Sequence, residues 1–124
     1  MVPRPYESLD AWRRAHALSL RLTKLCLTFP AYERFELGSQ LRRAARSVPA
    51  NLAEGKGAFG PGIYLRHVQV ALGSVAEIDY FLLCARDEGY ISEEVCEELA
   101  SEAWAIRGLM VQLAKALRSS AARR

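Results

Sequence analysis

Between Leu37 and Gly55 two helical stripes run side by side, and only one of them is apolar. Leu37, Leu41, Ala44, Val48 and Leu52 recur at steps of three or four residues, which places their side chains on one face of a helix. Gln40, Arg43, Ser47, Asn51 and Glu54 recur at the same steps, so a second ridge carries an amide, a guanidinium, a hydroxyl, another amide and a carboxylate. The apolar stripe is a core face. The polar ridge needs a different explanation.

The same periodicity predicts three more helices. Residues 1–7 hold two prolines and no period, and form an arm. Ser8 or Asp10 can cap a first helix, whose face is Leu18, Leu22, Leu25 and Phe29, with Pro30 as its stop. The second helix runs from about Glu33 to Ala53, bends between Ala45 and Pro49, and ends at Gly55 as a left-handed cap. Lys56 to Gly62, with three glycines and a proline, is a loop. The third helix spans about Gly62 to Glu88. Gly89-Tyr90-Ile91 is a turn, Ser92 caps a fourth helix with Glu93 and Glu94 in its first turn, and Val95, Leu99, Ala103, Ile106, Met110, Leu113 and Leu117 carry its core stripe. Residues 119–124 are a frayed tail. Four long helices with short connections predict an all-α fold, an antiparallel up-down-up-down four-helix bundle in a single domain of 124 residues.

The third helix is apolar on more than one side. Leu65, Val68, Leu72, Val75 and Leu82 form one face, and Ile63, Val70, Ile78 and Phe81 another. One face suffices for a monomeric bundle. The second is therefore expected to meet another subunit, with Gly73 and Ser74 allowing a close helix crossing.

Charge adds a polarity. The formal net charge is +3, yet residues 1–60 hold ten Lys/Arg against five Asp/Glu and residues 61–124 hold seven against nine, or +5 and −2. Arg13, Arg14, Arg21, Lys24, Arg42, Arg46 and Lys56 are the candidates for contact with RNA or DNA phosphates. The three cysteines are widely spaced in apolar runs and read as free thiols of a cytoplasmic protein. No membrane span is expected, the longest uncharged run, His67 to Ala76, being too short.

Chemistry is sparse. No Glu-x-x-His pair or Cys-x-x-Cys exists to hold a metal, and no cofactor motif is present. No Gly-x-Ser-x-Gly elbow presents a nucleophile. Glu54 and Glu77 are a carboxylate pair without an evident pocket, so no catalytic role is expected. Gln40, Arg43, Ser47, Asn51, Glu54, Ser74 and Glu77 are instead expected to form a structural polar network between the second and third helices, since buried charge persists only when paired.

A family pattern runs through these residues. Leu37, Gln40, Arg43-Ala44-Ala45, Ser47-Val48-Pro49 and Asn51-Leu52-Ala53-Glu54-Gly55, followed by Ala71, Gly73-Ser74 and Glu77, resemble the pattern of a bacterial family of four-helix bundles encoded in intervening sequences of 23S rRNA genes. The likeness extends to Leu9, Trp12, Phe29-Pro30 and Gly89-Tyr90. It implies a ring of five subunits with no catalytic activity. A related protein of diversity-generating retroelements implies a further partner, a nucleic-acid enzyme or the nucleic acid itself. The remaining alternative is a purely protein-binding, structural module.

Overall fold

The computed structural model describes residues 1–123. It contains α1 (Asp10–Cys26), α2 (Leu37–Lys56), α3 (Pro61–Asp87) and α4 (Glu93–Ala122), and no strand among the described residues. Both α1 and α3 pack on α2 and α4, while the backbones of the diagonal pairs, α1 with α3 and α2 with α4, stay apart across the core. The helices therefore stand at the corners of a square, in the up-down-up-down bundle that the spacing predicts. Each contributes fully buried side chains: Leu22 from α1, Leu41 and Leu52 from α2, Ile78 and Leu82 from α3, Ile106 and Met110 from α4. Burying each such side chain is worth about 1.5–3 kcal/mol before entropy is counted.

The helix ends depart from the pattern in instructive ways. Leu9 precedes α1 without a capping side chain, because the Ser8 hydroxyl turns back to the carbonyl of Pro5 at 2.9 Å within a short 3₁₀ turn, Pro5–Ser8. That turn replaces much of the expected arm. α1 ends at Cys26, before Phe29, and a second 3₁₀ turn, Ala31–Glu33, precedes α2. Glu33 thus lies ahead of α2 rather than in it. Its carboxylate accepts the Leu37 N–H at 3.3 Å and the Tyr90 hydroxyl at 2.7 Å. One side chain so caps α2 and ties together the two connections at that end of the bundle. The hydrogen bond to Glu33 raises the pKa of Tyr90 and keeps the phenol protonated. Helix α4 continues to Ala122, past the point where fraying was expected, and residue 124 lies outside the described residues.

Two caps follow the expected chemistry. Ser92 Oγ accepts the Val95 N–H at 3.1 Å. Gly89, at φ 82°, closes α3, with the Tyr90 N–H reaching the Ala85 carbonyl at 2.8 Å. A side chain would be strained in that left-handed conformation.

Gly55 is a correction. It does not end α2, which continues unbroken through Pro49 to Lys56. Gly55 is buried instead, and a Cβ there would lie 2.7 Å from Tyr64 Cδ1 and 3.1 Å from His67 Cβ. The glycine lets α2 and α3 approach closely where they begin to pack.

Candidate functional site

The seam between α2 and α3 carries the polar residues. Ser74, buried on α3, donates to Ser47 Oγ at 2.8 Å, with the Val70 carbonyl at 3.3 Å. Asn51 Nδ2 donates to the Ser47 carbonyl at 2.9 Å and lies 3.1 Å from Ser47 Oγ. With its nitrogen committed there, Asn51 turns its oxygen to His67 Nδ1 at 3.0 Å. An amide oxygen only accepts, so the network assigns the proton to Nδ1 and leaves Nε2 free of this chain of bonds. Glu54 stands 3.9 Å from the same nitrogen, too far for a hydrogen bond.

The expected seven-residue network is therefore smaller than predicted and has an additional member. Ser47, Asn51 and Ser74 are joined, and His67 completes them. Gln40, Arg43, Glu54 and Glu77 are exposed, and their side chains hydrogen-bond no described residue. The reason is rotational: on each helix these positions lie outward of the contact line, where water solvates them. His67 had a signal in the sequence, for it stands seven residues before Ser74 on one face of an otherwise apolar helix. Asn51→Ala would strip Ser47 and His67 of partners at a half-buried seam. The expected loss is ~1–3 kcal/mol in thermal or urea unfolding, and a loss no larger than that of Gln40→Ala, at an exposed position of α2, would contradict the network's structural role.

Two recesses open along this seam. One, of about 430 Å³, is lined by Gln40, Arg43, Ala44, Ser47, Glu77 and Phe81; the other, of about 300 Å³, by Asn51, Ile63, Arg66, His67 and Val70. Neither assembles a nucleophile with a base: Ser47 has the Asn51 amide beside it rather than the imidazole, and Ser74 is buried. Glu54 lies beside His67, whereas Glu77 shares the first recess with Arg43, so the two carboxylates are not paired. No group of three or more His, Cys, Asp or Glu able to hold a metal occurs among the described residues.

The second apolar face of α3 is also redistributed. Ile78 is only 1% exposed and belongs to the subunit's own core, which overturns its assignment to an interface. Phe81 packs half-buried against that core. Ile63 and Val70 remain exposed, at 51% and 54%, and Tyr80 and Leu83 extend the same outer side. By length and composition α3 could cross a bilayer, contrary to the reading from its longest uncharged run, yet one side of it is bundle core.

The basic candidates divide as well. Arg13 pairs with Asp10 and donates to the Glu7 carbonyl at 2.8 Å. Arg14 grips Glu102 with two bonds, 2.7 and 3.1 Å, which raise its pKa, and Arg21 meets Glu98 at 2.8 Å. These three are α1–α4 or local ion pairs, not a free cationic surface. The α4 glutamates are 88 and 77 residues away in sequence, so only the fold reveals them. Arg42 donates to the Arg34 carbonyl at 3.3 Å. Lys24, Arg43, Arg46 and Lys56 have no acidic partner among the described residues.

Comparison with known proteins agrees with this architecture. A search of curated proteins finds no match. Among solved structures, the chain is similar to a protein of unknown function from the S23 ribosomal protein family of Bacteroides thetaiotaomicron, with a TM-score of 0.79, 21% identity, and coverage of 85% of this chain and 95% of that one. At that identity the likeness speaks for the fold. A family model described as 23S rRNA-intervening sequence protein matches residues 7–112. With the bundle, the α2 motif and that match in register, the chain belongs to the 23S rRNA-intervening sequence protein family.

Proposed function

We propose that this protein is a non-catalytic scaffold that works as a closed homo-oligomeric ring in the cytoplasm, without cofactor or metal. The observation that carries this reading is the outer side of α3. Ile63, Val70, Tyr80 and Leu83 are large, apolar and exposed on one helix whose opposite side already fills the core. Large apolar side chains gathered on one exposed helix side mark an interaction surface. A second subunit covers it at least cost, since every copy carries the complementary surface at equal concentration. The number five comes from the family resemblance; the exposed face supports self-association as such. Native mass spectrometry of the intact assembly counts subunits directly. Five supports the ring of the family, and a uniform dimer would replace it with a two-fold pair.

A second reading is favoured by the free cations. Lys24, Arg43 and Lys56 are exposed and have no acidic partner among the described residues, and repetition around a ring would multiply their field, which suits a phosphate backbone or an enzyme that works on nucleic acid. The triple variant Lys24→Gln/Arg43→Gln/Lys56→Gln is expected to keep the bundle and to lose most binding to a generic RNA at low salt. Wild-type binding should weaken steeply as salt rises. If the wild type does not bind RNA or DNA even at low salt, the scaffold is a protein-binding module alone.

A further inference from the structure

On the side of the bundle away from the α2/α3 seam, α1 and α2 leave a groove of about 300 Å³. Its lining includes Tyr6, Trp12, Leu20, Arg46, Pro49 and Ala50. The floor is small: Ala50 and Ala53, with Ser19 turned inward to the His16 carbonyl at 2.7 Å. One end is walled by aromatic rings, Trp12 lying 4.7 Å from Tyr6 and stacked on His16 at 4.9 Å. Small residues between two helices leave a channel into which the ridge of another helix fits. Arg46 stands on its rim with no carboxylate partner among the described residues.

Helix α3 presents such a ridge. Ile63, Val70, Glu77 and Tyr80 project from it, and Gly73 interrupts them. Packing within the subunit does not require that glycine, for a Cβ there would find nothing within 4 Å, as at Gly108 in α4. Glycine in mid-helix is less favourable than alanine. A surface pressed against α3 from outside the subunit supplies the reason that its own packing lacks. Glu77 on the ridge forms no ion pair among the described residues, not even with Arg43 in the same recess, and Arg46 on the groove forms none either.

We infer that the α3 ridge of one copy seats in the α1/α2 groove of the next, with Gly73 at the crossing and Glu77 meeting Arg46 at the rim. The inference rests on the ring reading above and names its two contacting surfaces. Because α3 stands diagonally across the square from α1, ridge and groove lie on different sides of the bundle. Each subunit therefore gives its ridge to one neighbour and its groove to the other. Such a head-to-tail contact is not a two-fold dimer, and it gives a ring where the rotation between successive subunits closes.

Cysteine cross-linking in the full-length protein tests this. The native thiols offer little background: Cys26 and Cys96 are buried, burial pushing Cys26 up to about 11 and raising Cys96 too, and Cys84→Ala removes the half-buried third. In that background Ala50→Cys and Val70→Cys are made separately and together, and treated with a short bismaleimide. Each single variant should stay uncross-linked. An equal mixture of the two should give covalent dimers, and the double variant a ladder ending at the ring size. Should Val70→Cys alone couple to dimers, α3 packs on α3 and the groove is not the receiver. If the double variant assembles at the wild-type mass without cross-linking, the pairing is wrong while the ring stands. A protein that is monomeric before any cross-linker is added overturns both. Independently, Arg46→Glu should disrupt assembly and Arg46→Glu/Glu77→Arg restore it; failure of the double reversal to assemble would remove the rim contact.

Discussion

Ile78→Glu is expected to unfold this protein rather than to dissociate it. Ile78 is 1% exposed and packed among the largest fully buried side chains. A glutamate there would leave a carboxylate in an apolar interior with no cation to receive it. Losses above roughly 4–5 kcal/mol are confined to such mechanisms, and a domain of this size commonly has only about 5–15 kcal/mol in hand. The far-ultraviolet circular dichroism of a bundle should therefore collapse or melt far below the wild type. A helical, cooperatively melting Ile78→Glu protein would show that the core is not closed by α3 as described.

Val70→Glu is expected to do the reverse. Val70 is 54% exposed in the subunit, so its own fold loses little, within about 0.5 kcal/mol for an open surface site. In an assembly that buries this face the same charge is stranded against apolar surface, and the complex should fall to single subunits that still melt cooperatively. The pair of variants, eight residues apart on one helix, separates folding from assembly. If Val70→Glu keeps the wild-type mass, the outer face of α3 is not where copies meet.

Why these two positions looked alike in the sequence follows from the helix itself. Periodicity assigns faces only when apolar and polar positions contrast, as they do in α2 and α4. In α3 both sides are apolar, so Ile78 and Val70 were placed on one outer stripe, and only packing against α2 and α4 turns Ile78 inward. Gly55 failed for another reason. A glycine at the end of a helical stripe has the same local signature whether it adopts a left-handed cap or makes room for a neighbour, and Tyr64, nine positions on, decides the case. The ion pairs of Arg14 and Arg21 with α4 were illegible for a third reason, since sequence distance hides them. By contrast the four helices, the Ser92 cap, the Gly89 turn and the Ser47–Asn51 ridge are legible, because each depends on spacing within one or two turns or on the stereochemistry of a single residue, while Ser74 enters as the buried hydroxyl of α3 that the ridge needs as a partner.

The seam also explains why polar groups persist at the centre of a packed contact. Ser47, Asn51, Ser74 and His67 satisfy one another, so their burial carries little penalty, while their directional bonds fix the register of α2 against α3 in a way that interchangeable leucines would not. A fixed register sets where the α3 ridge stands relative to the α1/α2 groove.

Sedimentation equilibrium of the purified wild type, across low to high micromolar concentration, tests the central claim that the outer face of α3 is a self-association surface. The expected result is a mass near five times 13.8 kDa that holds across the range, with Val70→Glu sedimenting at 13.8 kDa. A wild type that stays at the mass of one subunit at the highest concentration would contradict it.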